Sequence, residues 1–560
     1  MKVFFGGRKA RLVWAAGVSA VLVLVFAGFL GGSDDELFLK IYRGIDIFGK
    51  VYKEVASNYV DEIDPDKFMR AGIDGMLKTL DPYTVYIDER EHDEIDLVTT
   101  GKYGGVGITV GVRDGAVTVV GLLEGFSAAK HGIQIGDRIV EIDGTSLDGK
   151  SFDTVRMLVR GAPGTEIKMK IERDGEPVRL EFVLLREEIP VQNVSYAGIV
   201  GNGIGYIHLE RFSRTSGDDV RLAIKEISGK GTMRGLVLDL RDNPGGLLDM
   251  AVEVASKFLP ESSLVVSTRG RRSDAERKYF TTGTPMLPEI PLAVLVDGGS
   301  ASASEIVAGA IQDLDRGVIV GTRTFGKGLV QTISRLSEST SLKITTGRYF
   351  TPSGRSIQEI DYLHRDEDGG VRIMPDSLRR EFRTLHNRSV FEAGGIMPDS
   401  VIRRPDYSPL AQALFDRAMF FKFAHRFART RGTLPEGFKI TPTILKDFKA
   451  FVNEQGFVFK ESTTERLAEL RTYAERANFG PGVFAEIDKL ETLINQERER
   501  AFERHEDELR GILALEIIGR IKGEKARIAV SLEDDHQLDA ALALLEKRKL
   551  YDTLLTGKTK

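Results

Sequence analysis

The chain is poor in residues that carry redox and metal chemistry. It has 560 residues, no cysteine, one tryptophan and eight histidines. Without thiols it has no disulfide, no thiolate nucleophile and no cysteine-ligated zinc site. The missing cysteine does not fix the compartment, although it is compatible with an oxidising envelope space. The net charge is only −5, so no nucleic-acid partner is expected, and the length predicts about three or four domains.

Charge is also missing from one long segment near the N-terminus. Residues 12–30 are apolar or glycine apart from Ser19, and this length just suffices to cross a bilayer as a helix. Arg8, Lys9 and Arg11 precede it, which predicts that the N-terminal side stays in the cytoplasm and that the body is exported. An uncleaved inner-membrane anchor is the preferred interpretation. A cleaved signal peptide is the alternative, although no clean small-x-small cleavage site is visible.

Five segments differ in pattern, and together they predict an α/β multidomain protein. They are an anchor or signal segment, a segment of N-terminal helices, an inserted mostly-β module, an α/β core and a C-terminal helical domain, at residues 1–33, 34–100, 101–186, 187–405 and 406–560. The N-terminal helices are predicted near 37–60 and 65–80. They are interpreted either as an interaction or dimer-forming segment or as packing on the main domain.

The α/β segment is predicted in more detail. Its strands are expected at Ile204–Leu209, Gly235–Asp239, Leu292–Val296 and Val318–Gly321, with helices near 218–228, 248–257 and 302–313. Residues 361–390 are polar and predict a loop. The tail from 406 onward carries no readable motif. It is interpreted either as a solvated helical appendage or as a substrate-guiding or assembly domain, and its helices are a second candidate for a homodimer contact.

One motif of this segment ends a strand in a tight turn. It runs Asp-Leu-Arg-Asp-Asn-Pro-Gly-Gly from Asp239 to Gly246. The glycines let the backbone turn sharply and leave amides unpaired, and such amides can stabilise an oxyanion. By itself the motif indicates only a turn.

A second motif places serine at the start of a helix. Asp-Gly-Gly-Ser-Ala-Ser-Ala-Ser-Glu runs from 297 to 305, and a helix N-terminus favours negative charge. Ser302 and Glu305 also fit a capping box. The capping role and a catalytic role do not exclude each other.

A third motif nearly matches a phosphate-binding loop. Residues 321–331 read Gly-Thr-Arg-Thr-Phe-Gly-Lys-Gly-Leu-Val-Gln. Position 328 is glycine where a magnesium-binding hydroxyl is required, and the following residues alternate like a strand rather than a helix. We therefore reject nucleotide binding, and we expect neither a cofactor nor a metal.

These motifs resemble the carboxyl-terminal processing peptidases, also called tail-specific proteases. The resemblance is carried by Ser-Ala-Ser-Ala-Ser-Glu, by Phe-Gly-Lys-Gly-x-x-Gln, and by three further pieces at 241–246, 349–358 and 395–399, in the family's order. It covers about residues 40–400. It implies a Ser-Lys serine endopeptidase with Ser302 as nucleophile, Lys327 as base and Gln331 as support. Ser300 and Ser304 are the alternative registers for the nucleophile.

The chemistry of such a pair sets a condition on the lysine. Its amine accepts the serine proton only when neutral, so its pKa must be lowered, and burial beside apolar residues such as Phe325 would do so. Gln331 would hold the amine without adding charge. The candidate oxyanion donors are the backbone N–H groups of Ala303 and of Gly245 or Gly246. A Ser-His-Asp triad is disfavoured, because His208 is the only histidine in the predicted strands of the core.

The 101–186 module resembles the PDZ domain that this family carries. Tyr103–Ile108 matches the carboxylate-binding loop, in which backbone amides receive a peptide C-terminus while the next strand pairs with the peptide. The implied peptide-binding residues are Gly104, Gly105, Val106, Gly107, Ile108, Val155, Leu158 and Val159. Arg160 is the nearest match to an arginine that links peptide binding to activation in some relatives.

The expected function is a serine endopeptidase of the cell envelope, periplasmic or otherwise extracytoplasmic. Its partners would be protein substrates with exposed C-terminal tails, gripped by the PDZ domain. The alternative is a non-catalytic envelope scaffold that binds protein C-termini. Because Ser302, Lys327 and Gln331 are all present, the sequence gives that alternative no support.

Overall fold

The computed structural model describes residues 33–88, 100–271, 276–338, 340–365, 371–373, 375–457, 459 and 462–557. The chain divides into two units, residues 1–86 and 87–560. The predicted membrane segment at 12–30 lies outside the described residues. Among the helices that are described, none has both the length and the apolar character needed to cross a bilayer.

The first unit contains two helices, close to where the sequence predicts them. Helix α1 spans Ser33–Asn58 and α2 spans Pro65–Leu77. Asp64 caps α2, since its carboxylate accepts from the N–H groups of Asp66 and Lys67. Tyr52 of α1 stacks on Phe68 of α2 at a centroid distance of 5.6 Å. Most apolar side chains of α1 nevertheless stay exposed, among them Leu37, Ile41, Ile45 and Phe48.

The glycine-rich segment forms a small mostly-β domain. Its elements are β2 (Lys102–Gly105), β3 (Ile108–Arg113), β4 (Ala116–Leu122), α3 (Ser127–Lys130), β5 (Arg138–Ile142), β6 (Thr145–Ser146), α4 (Phe152–Val159), β7 (Glu166–Glu172), β8 (Leu180–Leu185) and β9 (Glu187–Pro190), after β1 (Val85–Ile87). The sheet order is β3-β4-β5-β7-β8, with β6 beside β5, and β2 pairs with β9. Strand β3 is therefore an edge of the sheet.

A mostly parallel sheet forms the core of the next segment. Its order is β10-β11-β12-β15-β16-β23, and every neighbouring pair except β10–β11 is parallel. The strands are β10 (Val194–Val200), β11 (Ile204–Leu209), β12 (Gly235–Asp239), β15 (Leu292–Val296), β16 (Val318–Gly321) and β23 (Ser400–Val401). The four strands predicted from the sequence have the predicted bounds.

Both faces of this sheet are buried, which explains why its strands are uniformly apolar. Alternate residues such as Leu238 and Val294 pack on α5 (Ser216–Gly229), α6 (Leu248–Ala255) and α7 (Ala303–Asp313). The intervening residues, such as Val237 and Leu295, pack on α16 (His536–Glu546) and α17 (Arg548–Thr556). The last two helices of the tail are thus part of the core, and the interpretation of the whole tail as a solvated appendage is wrong.

A second, antiparallel sheet and two hairpins complete this segment. The sheet includes β13 (Leu264–Gly270), β14 (Arg277–Phe280), β17 (Leu329–Arg335) and β18 (Ser341–Phe350). The hairpins are β19 (Ile360–Arg365) with β20 (Val371–Ile373), and β21 (Glu381–Arg383) with β22 (Ser389–Phe391). The predicted loop at 361–390 is therefore wrong, because strands of only three to six residues are too short to give a clear alternating pattern in a polar segment.

The remaining helices precede α16 in the chain. They are α8 (Pro409–Asp416), α9 (Met419–Thr430), α10 (Pro442–Glu454), α11 (Ser462–Arg476), α12 (Pro481–Glu499), α13 (Ala501–Arg504), α14 (Glu506–Lys522) and α15 (Glu524–Ser531). Of these, α8, α9, α10, α13 and α14 share a separate apolar core rich in phenylalanine, whereas α11 and α12 pack in a small cluster of their own. Phe420 stacks on Phe448 with centroids 5.2 Å apart. Helix α9 also contacts the mostly-β domain, because the ammonium of Lys422 lies 2.7 Å from the carboxylate of Asp114.

Candidate active site

Three loops meet at one edge of the parallel sheet. They follow β12, β15 and β16, which are adjacent and parallel, so their carboxyl ends lie side by side. Ligands of open α/β sheets bind at this edge. The three motifs singled out in the sequence occupy these loops, and the topology therefore brings them together.

Ser302 differs from the other two serines of its motif in backbone conformation and in exposure. It lies directly before α7 with φ 56° and ψ −112°, a conformation that costs a residue other than glycine about 1–3 kcal/mol. Its side chain keeps some exposure, whereas Ser300 and Ser304 are fully buried. The Ser300 hydroxyl donates to Leu240 O at 2.7 Å and the Ser304 hydroxyl to Asn243 O at 2.9 Å. Ser300 and Ser304 hold the two loops together through these hydrogen bonds, which favours Ser302 as the candidate nucleophile among the three serines.

Glu305 joins the serine loop to the lysine loop. Its carboxylate is fully buried and accepts from the backbone N–H of Ser302 at 2.8 Å, which forms the glutamate half of the predicted capping box. The same oxygen, Oε2, accepts from the N–H of Lys327 at 2.9 Å. Oxygen Oε1 accepts from the Thr324 hydroxyl at 2.6 Å and from Gly326 N–H at 2.8 Å. Burial raises the pKa of Glu305 to about 7, although its four donors favour the charged form.

The backbone of Lys327 is held on both sides. Its N–H donates to Glu305, and its carbonyl accepts from the buried Tyr349 hydroxyl. Its side chain is half-buried. Phe325 is 46% exposed, so it can supply only part of the apolar burial that the sequence predicts for it.

The glycine turn contributes donors beside the serine. The Gly245 N–H donates to the Asn243 side chain at 2.9 Å and is therefore occupied. In the part of the chain that the structure describes, no group accepts from the N–H of Gly246 or Ala303. The Asn243 carbonyl accepts from Ala301 N–H at 3.0 Å, which ties the turn to the serine loop. This geometry favours Gly246 over Gly245 as the partner of Ala303.

Gly245 is nevertheless required for the close approach of the two loops. Its φ is +95°, and a Cβ at this position would lie 2.6 Å from Ala301 O and 2.9 Å from the Ser302 Cβ. Both values are below any normal contact distance. A side chain here would push the turn away from the serine.

Two other predicted residues have different surroundings. Gln331 follows a bulge in β17, and its amide donates to the Thr345 hydroxyl at 3.3 Å, so its predicted support of the lysine amine stays a prediction. His208 lies on β11, where its Nδ1 is 2.8 Å from the Ser195 hydroxyl. That contact gives the histidine a structural role across β10 and β11. The loop after β16 leads into strand β17, whereas a phosphate-binding loop leads into a helix.

The predicted peptide site lies along the open edge of β3. Val106 is buried, and Gly107 has φ +82°, where a Cβ would lie 2.5 Å from Phe126. Val155 and Val159 belong to the domain's core, and Val155 has no exposed surface. Their assignment as groove-lining residues is therefore not met in this structure, whereas Leu158 stays half-buried. The cause is helical spacing, since 155 and 159 share the inward face of α4.

The gating candidate Arg160 stacks on the carboxylate loop. Its guanidinium carbon lies 5.0 Å from the centre of the Tyr103 ring, a cation–π distance. Tyr103 is the first residue of the predicted loop. A residue that the sequence did not suggest, Arg186, donates to the carbonyls of Leu158 and Val159 at 2.9 and 3.1 Å and holds the end of α4.

The most important residues that sequence reasoning missed are Glu305 as a bridge, Asn243 and Tyr349. Glu305 was visible only as a helix cap, and its distance of 22 residues from Lys327 hides the second contact. Asn243 acts through hydrogen bonds of its side-chain amide and its backbone carbonyl, and the sequence of a turn does not reveal such bonds. Tyr349 comes from a strand of the second sheet, so no local pattern connects it to Lys327.

Comparison with known proteins agrees with this arrangement. Family models match residues 203–367 (Peptidase family S41), 118–173 (PDZ domain), 36–91 (Activating protease CtpB N-terminal domain) and 410–545 (Probable PDZ-protease, C-terminal helical domain). The carboxy-terminal-processing protease of Bartonella bacilliformis is 39% identical over 354 residues, which are 62% of this chain and 80% of that protein.

Two further similarities are more distant. The carboxy-terminal processing protease CtpB of Bacillus subtilis is 34% identical over 320 residues, 57% of this chain and 66% of that protein. Among solved structures, the photosystem II D1 C-terminal processing protease is 27% identical and covers 64% of this chain and 92% of its own, with a TM-score of 0.34.

A Glu305→Gln substitution should loosen both loops. An amide accepts at one oxygen only, so two of the four donors lose their acceptor, at a cost of about 1–3 kcal/mol each. We expect cleavage of an unstructured protein to slow by roughly tenfold or more. Glu226→Gln, on an exposed face of α5, is the control and should cleave at the wild-type rate. An unchanged rate in Glu305→Gln would contradict the bridging role.

The wild type and the Glu305→Gln variant also test the raised pKa of Glu305. Its folded-state pKa of about 7 lies above the ordinary value of 4.5, so folding favours the protonated form. The contribution of this group to stability is therefore largest below about pH 4.5 and is lost as the pH rises to about 7. Denaturant unfolding between pH 4.5 and 8 should show this decline in the wild type relative to Glu305→Gln. Parallel pH profiles would refute the raised pKa.

Gly245→Ala should displace Ser302 because the added methyl group has no room. Gly298 in the serine loop meets nothing within 4 Å of a built Cβ, so Gly298→Ala is a matched control. We expect Gly245→Ala to lower the cleavage rate by at least tenfold with the far-ultraviolet circular dichroism spectrum retained. Equal rates in the two variants would show that the close approach is unimportant.

Proposed function

Because this chain belongs to the carboxy-terminal processing proteases and is a serine-type endopeptidase with a PDZ domain, we propose that it cleaves through Ser302 and Lys327. The observation that carries the proposal is the shared oxygen of Glu305. The backbone nitrogens of Ser302 and Lys327 both bond Oε2, at 2.8 and 2.9 Å, so they cannot be further apart than the sum of these distances. A lysine side chain easily spans that separation.

In the proposed mechanism the neutral Lys327 amine takes the proton of the Ser302 hydroxyl. The serine oxygen attacks the scissile carbonyl carbon and forms a tetrahedral intermediate. Collapse of this intermediate breaks the C–N bond, and the Lys327 ammonium gives its proton to the leaving amine. Water then attacks the acyl-enzyme ester with Lys327 again as base, which releases the new C-terminal carboxyl group and restores the serine. Gln331 is proposed to orient the amine.

The oxyanion of each tetrahedral intermediate is proposed to bind between Ala303 N–H and Gly246 N–H. Support comes from the occupied N–H of Gly245 and from the position of Ala303 at the first turn of α7. The helix dipole adds partial positive charge at this end. Preorganised donors of this kind stabilise the transition state more than the substrate.

Substrate choice is proposed to lie in the PDZ domain. A PDZ domain binds peptide C-termini, and the open edge of β3 suits addition of a peptide strand. The carboxylate would bind the Gly104–Ile108 loop, with Leu158 near the last side chain. Arg160, stacked on Tyr103, is proposed to link peptide binding in this loop to activation of the protease core.

The proposed location is the cell envelope, outside the cytoplasm. Support comes from the basic residues before the apolar segment 12–30, which is proposed to anchor the protein in the inner membrane. A homodimer is proposed to form through the N-terminal or C-terminal helices. The exposed apolar side chains of α1 favour the N-terminal helices for this contact.

Ser302→Ala and Lys327→Ala should each lower the cleavage rate by roughly a thousandfold or more, as removal of a nucleophile or its base does in other serine proteases. Exposed residues of α5 provide matched controls, Ser228→Ala and Lys225→Ala, which should cleave normally. The readout is single-turnover cleavage of an unstructured protein, followed by gel electrophoresis. Wild-type cleavage by Ser302→Ala would eliminate the mechanism.

Cleavage should depend on a free substrate C-terminus. We expect a substrate with a free carboxylate to be cut faster than the same peptide with an amidated end. Gly105→Val, in the carboxylate loop, should reduce this ratio towards one. The ratio is its own control, since general damage to the enzyme slows both reactions. Equal rates on the two substrates with the wild type would rule out the PDZ role.

A further inference from the structure

A buried charge cluster lies directly before the glycine turn, and one part of it comes from the far end of the chain. Arg241 is 3% exposed and Asp239 is 1% exposed. The Arg241 Nε lies 2.9 Å from both carboxylate oxygens of Asp239. The other side of the guanidinium faces α16, where Asp535 Oδ2 lies 2.7 Å from Nη2 and Gln537 Oε1 lies 3.0 Å from Nη1.

The two α16 residues are built into the start of that helix. Asp535 is the N-cap, and its Oδ1 accepts from the N–H groups of Gln537 and Leu538 at 3.0 and 3.1 Å. Its second oxygen is left for Arg241. Gln537 is 1% exposed, and its amide donates to Ile402 O at 2.7 Å. The first turn of α16 is therefore hydrogen-bonded both to Arg241 and to Ile402, the residue directly after β23.

The acceptors matter because a buried guanidinium is stable only when its charge and its donors are satisfied. Removing one partner of a buried ion pair is strongly destabilising, since the remaining charge stays desolvated. Asp239 bonds Nε and shares Nη2 with Asp535, whereas Gln537 bonds Nη1. Asp535 and Gln537 therefore complete the set of acceptors that fixes where the guanidinium and its backbone lie.

The backbone of Arg241 leads straight into the proposed oxyanion loop. The next residue, Asp242, donates its N–H to Asp297 Oδ1 at 2.9 Å, and Asn243 is tied to the serine loop through Ala301. Gly246 follows five residues after Arg241. A shift of Arg241 would therefore move the glycine turn relative to Ser302.

We propose that Asp535 and Gln537 are positioning residues for the oxyanion loop and act through Arg241. The C-terminal helix α16 thereby supplies part of the structure that aligns the catalytic centre. This inference rests on the proposed function of Ser302 and Gly246. It assigns to the helical tail a role in catalysis, besides its packing on the sheet.

Asp535→Asn in the full-length protein tests the inference, because asparagine caps a helix as well as aspartate does but removes the charge facing Arg241. We expect kcat to fall at least tenfold, measured well below the melting temperature, with KM and PDZ peptide affinity unchanged. Labelling of Ser302 by a fluorophosphonate probe should slow by a similar factor, because it also needs the oxyanion donors. Asp539→Asn, exposed one turn further along α16, is the control and should match the wild type.

A lowered melting temperature with kcat and labelling unchanged would mean a purely structural role and would overturn the inference. If Asp535→Asn does not fold, Gln537→Met removes a single acceptor, and the same two rates decide in the same way. Failure of the probe to label wild-type Ser302 would instead overturn the proposed function, and the inference with it.

Discussion

The carboxylate of Glu305 is fully buried and receives four hydrogen bonds, and the geometry of the loops around Ser302 and Lys327 depends on it. One oxygen holds the backbone of both Ser302 and Lys327, and the other holds Thr324 and Gly326. Thr324 in turn accepts from Ile396 N–H at 2.7 Å. A strained serine conformation persists only when its surroundings determine it, and this carboxylate supplies much of that constraint.

The sheet beneath the loops explains how three distant motifs come together. Parallel strands β12, β15 and β16 place their carboxyl ends next to one another, and apolar residues on both faces lock them in register. One face is covered by helices from the same segment. The other is covered by α16 and α17, more than 200 residues further along the chain from β16. The catalytic edge thus depends on segments from most of the length of the protein.

Much of the core was predictable because its signals are local. Buried parallel strands are short apolar runs, so the bounds of β11, β12, β15 and β16 follow from the sequence. Ser302, Lys327 and Gln331 follow from the motifs of the family. Local patterns do not reveal contacts between distant segments, which is why Tyr349 and the second contact of Glu305 were missed.

Other differences have equally physical causes. The strands of the hairpins between Ile360 and Phe391 are only three to six residues long, so the polar composition of the whole segment predicted a loop there. Gly246 is favoured over Gly245 as an oxyanion donor because the side-chain oxygen of Asn243 already accepts the Gly245 N–H. Val155 and Val159 were assigned to the groove from their helix, but the inward face of α4 could be identified only once the sheet was present.

The position of α16 and α17 also bears on when the enzyme matures. Because they are translated after every catalytic loop, a nascent chain carries Ser302 and Lys327 for some time before the second face of its sheet is covered and Arg241 gains its outer acceptors. The fold of the sheet and the buried Arg241 cluster are therefore complete only when the last segment of the chain has been made.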